Sequence, residues 1–553
     1  MRGVAYELPL GETCFRRLRQ SGTRIYVDKT ALIYRLVNED RFCLLTRPRR
    51  FGKSLLLSTI ESLFRDGLRY FTDLEIAKLW KEELCCVLYL DLSGINLSSV
   101  QSLNRSLVSL LRQAAEQNGL NTATLPDEDP ITALNEFVRL SLSRDVVILV
   151  DEYDCPVRAQ FADPALRADV LNVMKAFFTT VKSLAKYCRF MMFSGITRNT
   201  LSDEYSCLNF LTDVSLDPKY STLLGYTEEE LQQYFAPYLR HIQEIYQLSD
   251  NEVISKIRFF YDGYSFDCFG KQKVYNNWSI LRLFRDPLCS FGEYWYESGD
   301  LSEYLKDYFL EKSLSSEGPL LSKMLDSLHQ DTYISISSLK FVPEFNEVNA
   351  PALLFYLGYL TIKDAFDRKY PQRLVLTLPN HEIESSLAKL YTRVMYRRDP
   401  EEVAGFFDAL LGTLHDYAHL SELASRLELL YNTYSYDSQI YRKEALLRDA
   451  LYVGCCMHLI PVCREKVNAK GRSDLEISLN GERVVFEFKV ASTPDRVAAK
   501  LSEASQQMEE RSYGEELPEA RLTRYSIVVC SATRKVAAIT ARQGGEVLGR
   551  YLA

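Results

Sequence analysis

The stretch RFCLLTRPRRFGKSLLLSTIESLF, residues 41–64, decides the fold of the first part of the chain. Its apolar start predicts a β-strand, and its second half, with apolar residues at helical spacing, predicts an α-helix. Gly52, Lys53 and Ser54 lie at the junction, where phosphate-binding loops carry the pattern G-x-x-x-x-G-K-[ST]. Arg47 stands where that pattern has its first glycine. The stretch is therefore either a nucleotide site with an unusual loop or a solvated basic turn before a helix.

A nucleotide site would use three of these residues in distinct ways. Gly52 would let the backbone approach the phosphates closely. Lys53 would reach the β- and γ-phosphates, and Ser54 would bind Mg²⁺. The start of the helix would receive the anion.

A second acidic motif follows about 100 residues later, in VVILVDEYD, residues 146–154. A nucleotide hydrolase needs a carboxylate at a strand end to hold Mg²⁺ and a second one to orient the attacking water. We assign these roles to Asp151 and Glu152. The alternative is a buried strand that ends in a solvated acidic turn. In MMFSGITRN, residues 191–199, Ser194 and Arg198 are candidates to contact the γ-phosphate, although an ordinary strand-to-loop junction has the same pattern.

The order of apolar and helical segments predicts an α/β multidomain protein. Up to about residue 220, strand runs that are apolar on both faces alternate with helices, which indicates a parallel sheet. The middle is rich in helical patterns, and the C-terminal part resumes an α/β order. We therefore expect a P-loop domain at 1–224, a mostly helical lid and connecting region at 225–430, and a compact α/β domain at 431–553.

The C-terminal part contains a candidate metal-dependent site in GRSDLEISLNGERVVFEFKV, residues 471–490. Glu487 and Lys489 are two apart on a predicted strand and so share a face. Asp474 lies on the preceding strand, across a hairpin expected at 480–481. Two carboxylates at a strand edge can bind Mg²⁺, and the lysine can position water or stabilise charge on a phosphate. The alternative is a half-buried strand with an ion pair.

Four further residues are candidates for supporting roles around this site. Glu444 lies on the preceding predicted helix, where the resemblance to a nuclease superfamily described next implies a further metal ligand or supporting acid; the alternative is a solvated helix face. Glu465 is a rival for that role. Gln507, followed by Tyr513, matches a polar helix that, by the same resemblance, flanks the site, and a structural role is an equal alternative.

Several phrases of the sequence resemble the AAA-ATPase-like family of bacterial proteins: YVDKT (26–30), RPRRFGKS (47–54), VDEYD (150–154), LGYTEEEL (224–231), FYDGYSF (260–266), WYESG (295–299) and GYLTI (358–362). In that family the loop has the form seen here, so Arg47 is the family's variant. The resemblance implies an ATP-binding P-loop domain with a helical lid. It also implies a C-terminal nuclease-like domain of the PD-(D/E)xK superfamily, also called restriction-endonuclease-like.

The basic loop itself leaves alternatives open. Arg47, Arg49 and Arg50, with Phe51 beside them, are candidates to contact nucleotide, and the proximity of Lys53 favours this. The same arginines are suited to a nucleic-acid backbone or to an acidic neighbouring domain.

Composition limits the classes of protein. The 553 residues carry a net charge of −8, which argues against a protein that coats nucleic acid generally. From residue 431 to the end, 18 Lys and Arg against 16 Asp and Glu give +2, which permits a local nucleic-acid surface. The thirteen scattered cysteines predict reduced, mostly buried thiols. Neither a leader nor a membrane span is expected, so we predict a cytoplasmic protein, and a homo-oligomer is compatible with the sequence.

The sequence thus predicts a protein that binds ATP and Mg²⁺ and cleaves nucleic acid, DNA in the first instance, under the control of its nucleotide state. One alternative is a nucleotide-dependent interaction module that binds DNA, RNA or protein without cutting. Another is an ATPase that works mechanically on a partner, against which we find no convincing arginine finger.

Overall fold

The structure is a computed structural model, and it describes residues 7–158, 163–198, 206–295, 332–340, 350–366, 372–393, 398–432, 440–458, 460–468, 470–479, 481–515 and 521–553. The chain forms two compact units, Met1–Trp295 with Gln330–Asn380, and Tyr296–His329 with His381–Ala553. The three functional regions proposed from the sequence stay a prediction beside this division.

The first unit contains a five-stranded sheet, its flanking helices and a small second sheet. In chain order its elements are α1 (Phe15–Gln20), α2 (Thr30–Glu39), β1 (Phe42–Thr46), α3 (Lys53–Asp66), β2 (Cys86–Asp91), α4 (Val100–Gln117), α5 (Pro130–Ser141), β3 (Val146–Asp151), α6 (Cys155–Arg158), α7 (Pro164–Leu184), β4 (Cys188–Gly195), β5 (Thr212–Asp213), α8 (Glu228–Tyr234), α9 (Ala236–Tyr246), α10 (Asp250–Tyr261), α11 (Asn277–Arg285), β6 (Thr332–Ser335), α12 (Ile336–Lys340), α13 (Ala350–Leu357), β7 (Thr361–Ala365) and β8 (Arg373–Thr377).

The five-stranded sheet is parallel throughout, in the order β2-β3-β4-β1-β5. Helices α4, α5 and α7 cover one face, where Met191 belongs to their shared core. Phe190 points to the opposite face, because neighbouring strand residues alternate, and there Phe64 of α3 stacks on it. The predicted parallel α/β sheet is confirmed. Strand β4 lies between β1 and β3, so the end of β4 separates the loop after β1 from the carboxylates after β3.

A second core lies in the helical part of this unit. It joins α8, α9, α10 and α11 with Ile25 and Val27 of the N-terminal segment. Helix α8 begins with a reciprocal cap in which Thr227 accepts from the backbone of Glu230 and Glu230 accepts from the backbone of Thr227. The expectation of many helices in the middle of the chain is confirmed.

The middle also contains a three-stranded antiparallel sheet, β6-β8-β7, which the sequence did not predict. Gly358, just before β7, has a φ of +88°, and a Cβ there would lie 2.9 Å from Cβ of Pro48. The hydroxyl of Tyr264 donates to the carbonyl of Gly358 at 3.0 Å. The segment leading into the small sheet therefore packs directly against the loop after β1.

The second unit is built on a six-stranded sheet. Its described elements are α14 (His381–Tyr391), α15 (Pro400–Leu411), α16 (Leu420–Asn432), α17 (Glu444–Met457), β9 (Val462–Asn468), β10 (Gly471–Leu479), β11 (Glu482–Ala491), α18 (Val497–Glu510), β12 (Arg521–Cys530), β13 (Lys535–Gln543) and β14 (Glu546–Leu552).

The strand order of this sheet is β14-β13-β12-β11-β10-β9. Only the pair β11–β12 is parallel among these neighbours, and α18 connects it and packs on both strands. The α/β order predicted for the C-terminal part is confirmed, as one helix, three strands, a second helix and β12, and β13 and β14 extend the sheet beyond them. At the hairpin between β10 and β11, Gly481 has a φ of +78°, and Asn480 lies outside the described residues.

Two general features concern the whole described chain. Within it, no helix combines the length and the apolar character that crossing a membrane requires. All thirteen cysteines are described as free thiols, and eight of them are buried.

Candidate functional sites

The loop between β1 and α3 has the backbone geometry of an anion-binding turn. Gly52 has a φ of +90° and Arg50 a φ of +69°, so two left-handed residues bend the chain just before the helix. Lys53 opens α3 and is only 5% exposed. Its ammonium donates to the backbone carbonyls of Arg47 and Pro48, both at 3.1 Å. The lysine therefore spans the loop from inside, where a bound phosphate would meet its charge.

Arg47 has a different environment from the one that a phosphate contact would need. Its guanidinium donates to the carbonyls of Thr46 at 2.9 Å, Ser215 at 2.5 Å and Tyr220 at 3.3 Å. It lies 4.2 Å from the centre of the Phe266 ring and is 1% exposed. Burial lowers the pKa of Arg47 to about 9, although Asp213 opposes the shift. The structure thus places this side chain as an anchor of the loop.

The other residues of the basic loop divide between packing and exposure. Phe51 is fully buried, with edge-to-face contacts to Tyr264 and Phe266 at 5.0 and 5.1 Å between ring centroids. Arg50 is exposed and lies 4.2 Å from the centre of the Trp278 ring. Partial burial, followed by the charge of Arg49, lowers the pKa of Arg50. Arg49 and Arg50 are the arginines of this loop that remain accessible to a ligand.

Asp151, at the end of β3, is tied to both neighbouring strands. The hydroxyl of Ser194 on β4 donates to its Oδ1, and the hydroxyl of Tyr89 on β2 donates to its Oδ2 at 3.3 Å. The carboxylate is 2% exposed. Burial, followed by the charge of Asp151, raises the pKa of Tyr89, so this phenol stays a donor. The structure thus brings together Asp151 and Ser194, two candidates from the sequence, and it adds Tyr89, which the sequence reasoning missed; the contact of Ser194 with a γ-phosphate stays a prediction.

The turn after Asp151 is strained and firmly held. Glu152 has a φ of +50°, which is unusual for a residue with a side chain. Asp154 is fully buried and accepts from the backbone N–H of Thr197 at 2.9 Å and from its hydroxyl at 2.6 Å. A Cβ on Gly195 would lie 2.7 Å from Oδ1 of Asp154, so the two segments approach as closely as a glycine allows. Asp154, the last residue of the acidic motif, locks the loop after β4 to the loop after β3.

Arg198 follows in the same loop and pairs with Asp213 of β5 at 2.7 Å, with both side chains nearly buried. This placement ties the end of β4 to the edge of the sheet. Ser54, the second residue of α3, is half-buried at the helix start. The roles of Arg198 toward a γ-phosphate and of Ser54 toward Mg²⁺ remain predictions.

A mostly apolar cavity of about 60 Å³ lies beside Gly52 and the first turn of α3. Its walls come from the N-terminal segment, from α3 and from the loop before α8, and they include Ile25, Val27, Leu224 and Tyr226. Its lining is predominantly apolar with a few polar groups, as is typical of ligand pockets.

The wall of this cavity also carries an ion pair. Lys29, from the YVDKT phrase, bonds Glu230 of the α8 cap at 2.6 Å. Burial lowers the pKa of Lys29, and Glu230 opposes that shift. The two residues lie in phrases that carried the family resemblance, and that was the available signal for them.

The second unit has its own cluster, centred on the free side of β11. The ladder between β10 and β11 runs from Leu479–Glu482, next to the hairpin, to Leu475–Phe486, after which the strands separate. Beyond that point, two carboxylates take the place of the β10 backbone as acceptors for N–H groups of β11. Asp474 accepts from the N–H of Phe488 at 2.8 Å, and Glu444 of α17 accepts from the N–H of Val490 at 3.1 Å.

Glu487 and Lys489 share a face of β11, as predicted, and the ammonium donates to Oε1 of Glu487 at 2.9 Å. Glu487 is 1% exposed, and its other oxygen, Oε2, is buried with no hydrogen-bond partner among the described residues. Burial, and then the nearby charge of Asp474, raise the pKa of Glu487 to about 7. Burial also raises the pKa of Asp474. The cluster thus holds more negative charge than its own hydrogen bonds satisfy.

Lys489 balances part of that charge. Its own burial disfavours the ammonium, but Glu487, Glu444 and Asp474 outweigh it and raise the pKa of Lys489. Lys489 therefore stays protonated beside the carboxylates. The structure brings all four of these sequence-predicted residues together at one end of β11.

Glu465 stands outside this cluster. It has a φ of +52° on β9, and its carboxylate bonds Arg448 at 2.5 Å and Arg472 at 2.9 Å. Arg448 also bonds Asp449, which in turn bonds Arg464, each at 3.0 Å. Glu465 is therefore engaged in a chain of ion pairs, and Arg448, which the sequence reasoning did not single out, supplies a fixed positive charge near Asp474.

Tyr513 organises the polar end of α18. Its hydroxyl accepts from the backbone N–H of Arg472 at 3.2 Å, from Arg511 at 3.1 Å and, at the limit of a hydrogen bond, from Gln507 at 3.5 Å. The ring is 1% exposed. The structure thus gives Tyr513 a structural role, with Gln507 beside it.

The donor set of the second cluster fits a hard divalent cation. The buried Oε2 of Glu487 accepts no hydrogen bond from any described residue, and Asp474 supplies a second carboxylate. Among the described residues no three Asp, Glu, His or Cys side chains are gathered as ligands of one ion, so Glu444 is not joined to the other two as a third ligand. Mg²⁺ is commonly bound by one or two carboxylates, with waters and substrate phosphates completing its shell.

Comparison with known families agrees with the two clusters. Residues 9–203 match the family described as a predicted AAA-ATPase, and residues 442–538 match the PD-(D/E)XK nuclease superfamily. The chain therefore carries an AAA-ATPase-like domain and a nuclease-superfamily domain, and the resemblance inferred from the sequence is confirmed. Families of these two kinds typically use a nucleotide and a divalent metal.

A relative from Azotobacter chroococcum mcd 1 is similar over nearly the whole chain. It is described as an uncharacterized protein in the vnfD 5′ region. It is 27% identical over 517 residues, which cover 92% of this chain and 93% of the relative. The similarity to this relative thus extends beyond the two matched domains into the regions between them.

Proposed function

We propose that this protein binds ATP with Mg²⁺ at the loop between β1 and α3, and that its C-terminal domain cleaves phosphodiester bonds of nucleic acid with Mg²⁺. We further propose that the nucleotide state of the first domain regulates the cleavage. The observation that carries the proposal is the buried Oε2 of Glu487, which has no hydrogen-bond partner in the part of the chain that the structure describes, beside Asp474 and Lys489.

At the C-terminal site each residue has a role set by its contacts. Glu487 and Asp474 would hold the metal, which when bound activates a water and neutralises charge on the phosphate. Asp474 is fixed by the N–H of Phe488, so its second oxygen is left for a ligand. Lys489, held protonated by its neighbours, would place its ammonium against the developing charge on the phosphate.

At the ATP site the chain's contribution is mainly positioning. Lys53 would exchange the carbonyls of Arg47 and Pro48 for the β- and γ-phosphates. Asp151 and Ser54 would hold Mg²⁺, and Ser194 keeps the carboxylate of Asp151 oriented. The adenine ring would enter the apolar cavity beside Gly52.

The experiment is a cleavage assay on single- and double-stranded DNA and RNA, with Mg²⁺ or Mn²⁺, with and without ATP. Lys489→Ala is compared with Lys535→Ala, an exposed lysine at the start of β13. We expect cleavage to be lost in the first variant and kept in the second. Lys53→Ala is expected to remove the effect of ATP. Cleavage that survives in Lys489→Ala would overturn the assigned site.

A second function, binding of nucleic acid without cleavage, is favoured by one observation. Within the described part of the chain, no three potential ligands are gathered around one point, so a metal would depend on few protein ligands. A wild-type protein that binds ATP and nucleic acid but cleaves under none of these conditions would establish this second function.

A further inference from the structure

The turn between β9 and β10 is fastened to the end of α18. The side-chain amide of Asn468 donates to the carbonyl of Arg511 at 2.8 Å. The Lys470 ammonium donates to the Ser512 hydroxyl at 3.0 Å. Oδ1 of Asn468 also accepts from the N–H groups of Lys470 and Gly471, at 2.9 and 2.8 Å. Hairpin and helix end therefore form one continuous rim.

Three cations stand on this rim, and we call Lys470, Arg472 and Arg511 the basic lip. All three are exposed, and the side chain of Arg472 is 56% exposed. A Cβ on Gly471 would lie only 2.5 Å from Cδ of Arg511, so Arg511 lies flat against the hairpin. The Tyr513 hydroxyl accepts from the backbone of Arg472 and from the side chain of Arg511, which fixes their spacing.

The basic lip adjoins the carboxylate cluster. Arg472 precedes Asp474 by two residues on β10. The two side chains therefore lie on the same face of the strand, about 7 Å apart along it. The hydrogen bond to Tyr513, and then its charge and that of Glu487, raise the pKa of Arg511. The basic lip thus lies next to the carboxylate site at which the phosphodiester bond is proposed to be cleaved.

We propose that the basic lip binds the phosphate backbone of the nucleic acid next to the bond to be cut, without reading its sequence. This inference rests on the proposed function of the C-terminal domain. Exposed guanidinium and ammonium groups donate to phosphate oxygens. Among the described residues the Arg472 side chain bonds Glu465, and more than half of it is exposed, so further guanidinium donors are accessible to a phosphate. Contacts of this kind with the phosphate backbone supply binding affinity, and they make that affinity depend steeply on salt concentration.

The chain provides a closely matched control for Arg472. Arg521, at the start of β12, is 57% exposed and bonds Glu482 at 2.9 Å. Arg472 is 56% exposed and bonds Glu465 at 2.9 Å. Glu482 lies at the far end of β11 from Glu487, about 17 Å away along the strand. The two arginines therefore differ in position relative to the cluster and hardly at all in local setting.

The test measures binding of fluorescein-labelled single- and double-stranded DNA by anisotropy over a series of KCl concentrations. Ca²⁺ replaces Mg²⁺ so that binding is measured without cleavage. The full-length proteins are wild type, R472Q, the double variant K470Q with R511Q, and R521Q. We expect roughly three- to tenfold weaker binding for R472Q. Its slope of log affinity against log salt is expected to fall by about 0.7–0.9. R521Q is expected to match wild type.

The outcomes separate this inference from the cleavage itself. Equal affinities and salt slopes for R472Q and R521Q, or no binding by wild type, would overturn the basic lip. Preferential loss of binding to an acidic peptide, with DNA binding unchanged, would also overturn it. Lip-dependent binding by a wild type that cleaves nothing with Mg²⁺ or Mn²⁺ supports the lip and overturns the proposed cleavage. Circular dichroism and melting curves establish that each variant is folded.

Discussion

The loop before α3 and the free end of β11 are both suited to phosphate chemistry, but they satisfy their charges differently. At the loop, Lys53 is bonded to two carbonyls and Asp151 to two hydroxyls. At β11, the Oε2 of Glu487 is buried without a partner among the described residues, and its pKa is raised. The first site is internally satisfied, whereas the second is left with excess negative charge.

A ligand would therefore act differently at the two sites. At the loop, a bound nucleotide would replace existing hydrogen bonds, so its net gain would be the difference between two good sets of contacts. At β11, a bound cation would relieve repulsion between buried carboxylates that Lys489 compensates only in part. We therefore expect metal at β11 to change stability, and nucleotide at the loop to change mainly contacts and conformation.

The largest effect is expected from Glu487→Gln. The substitution keeps the shape but removes a metal ligand, so cleavage should fall by about a thousandfold, which corresponds to several kcal/mol. Initial rates of cleavage with Mg²⁺ measure it. Glu482→Gln, on the same strand and paired with Arg521, is the control and should keep its rate. Equal losses in both variants would show that the effect is on folding.

A smaller effect is expected from Lys53→Ala at the loop. Hydrogen bonds to a charged group are worth about 1.5–3 kcal/mol, so ATP affinity should fall roughly 10- to 150-fold. Isothermal titration calorimetry measures it, with Lys219→Ala, an exposed lysine paired with Glu39, as the control. An unchanged affinity in Lys53→Ala would mean that the loop does not hold the phosphates.

The excess negative charge at β11 is tested by the stability of Asp474→Asn in the absence of metal. Because the folded state raises the pKa of Asp474 and of Glu487, ionised carboxylates there oppose folding above these pKa values. At pH 8 the amide should therefore raise the melting temperature by about 2–4 °C, the shift that corresponds to about 1 kcal/mol.

Bound metal should counteract the difference in melting temperature between wild type and Asp474→Asn. Mg²⁺ without ATP should raise the melting temperature of wild type and leave Asp474→Asn nearly unchanged, because the variant has lost a ligand. Differential scanning calorimetry with and without EDTA measures both shifts. A wild type insensitive to Mg²⁺, or a destabilised Asp474→Asn, would contradict the account of excess charge at β11.

The smallest effect is expected from Tyr89→Phe. Loss of its hydroxyl removes one 3.3 Å bond to Asp151, worth about 1 kcal/mol, so the Mg²⁺ concentration needed for ATP binding should rise about fivefold. Titration of Mg²⁺ at fixed ATP measures it. A requirement unchanged in Tyr89→Phe would show that Ser194 alone orients Asp151.

Much of this architecture could be predicted from local sequence. The strand, turn and helix around Gly52 follow from apolar periodicity and from a glycine that adopts a φ of +90°. The pairing of Glu487 with Lys489 follows from the alternation of side chains along a strand. Features that depend on residues two to four positions apart are recorded in the sequence directly.

Other features depend on distant partners, and no local pattern indicates them. Arg47 stands in a run of basic residues, yet its carbonyl partners include Ser215 and Tyr220, some 170 positions later. Glu465 was a rival metal-site acid until its partners Arg448 and Arg472 were known. The small sheet of β6, β7 and β8 joins strands of only four or five residues, in which periodicity is too brief to distinguish strand from helix.

The carboxylates at β11 have a further consequence for the behaviour of the protein in solution. Where β10 leaves β11, the N–H groups of Phe488 and Val490 would form an open strand edge, and Asp474 and Glu444 cover them. An uncovered edge is a template on which another chain can add a strand. Replacing both Asp474 and Glu444 by alanine would thus leave these N–H groups as an open strand edge. We expect such a variant to aggregate as its concentration rises. Asp474, which is proposed to hold the metal, and Glu444 beside it are therefore also expected to keep copies of the protein from pairing at this edge.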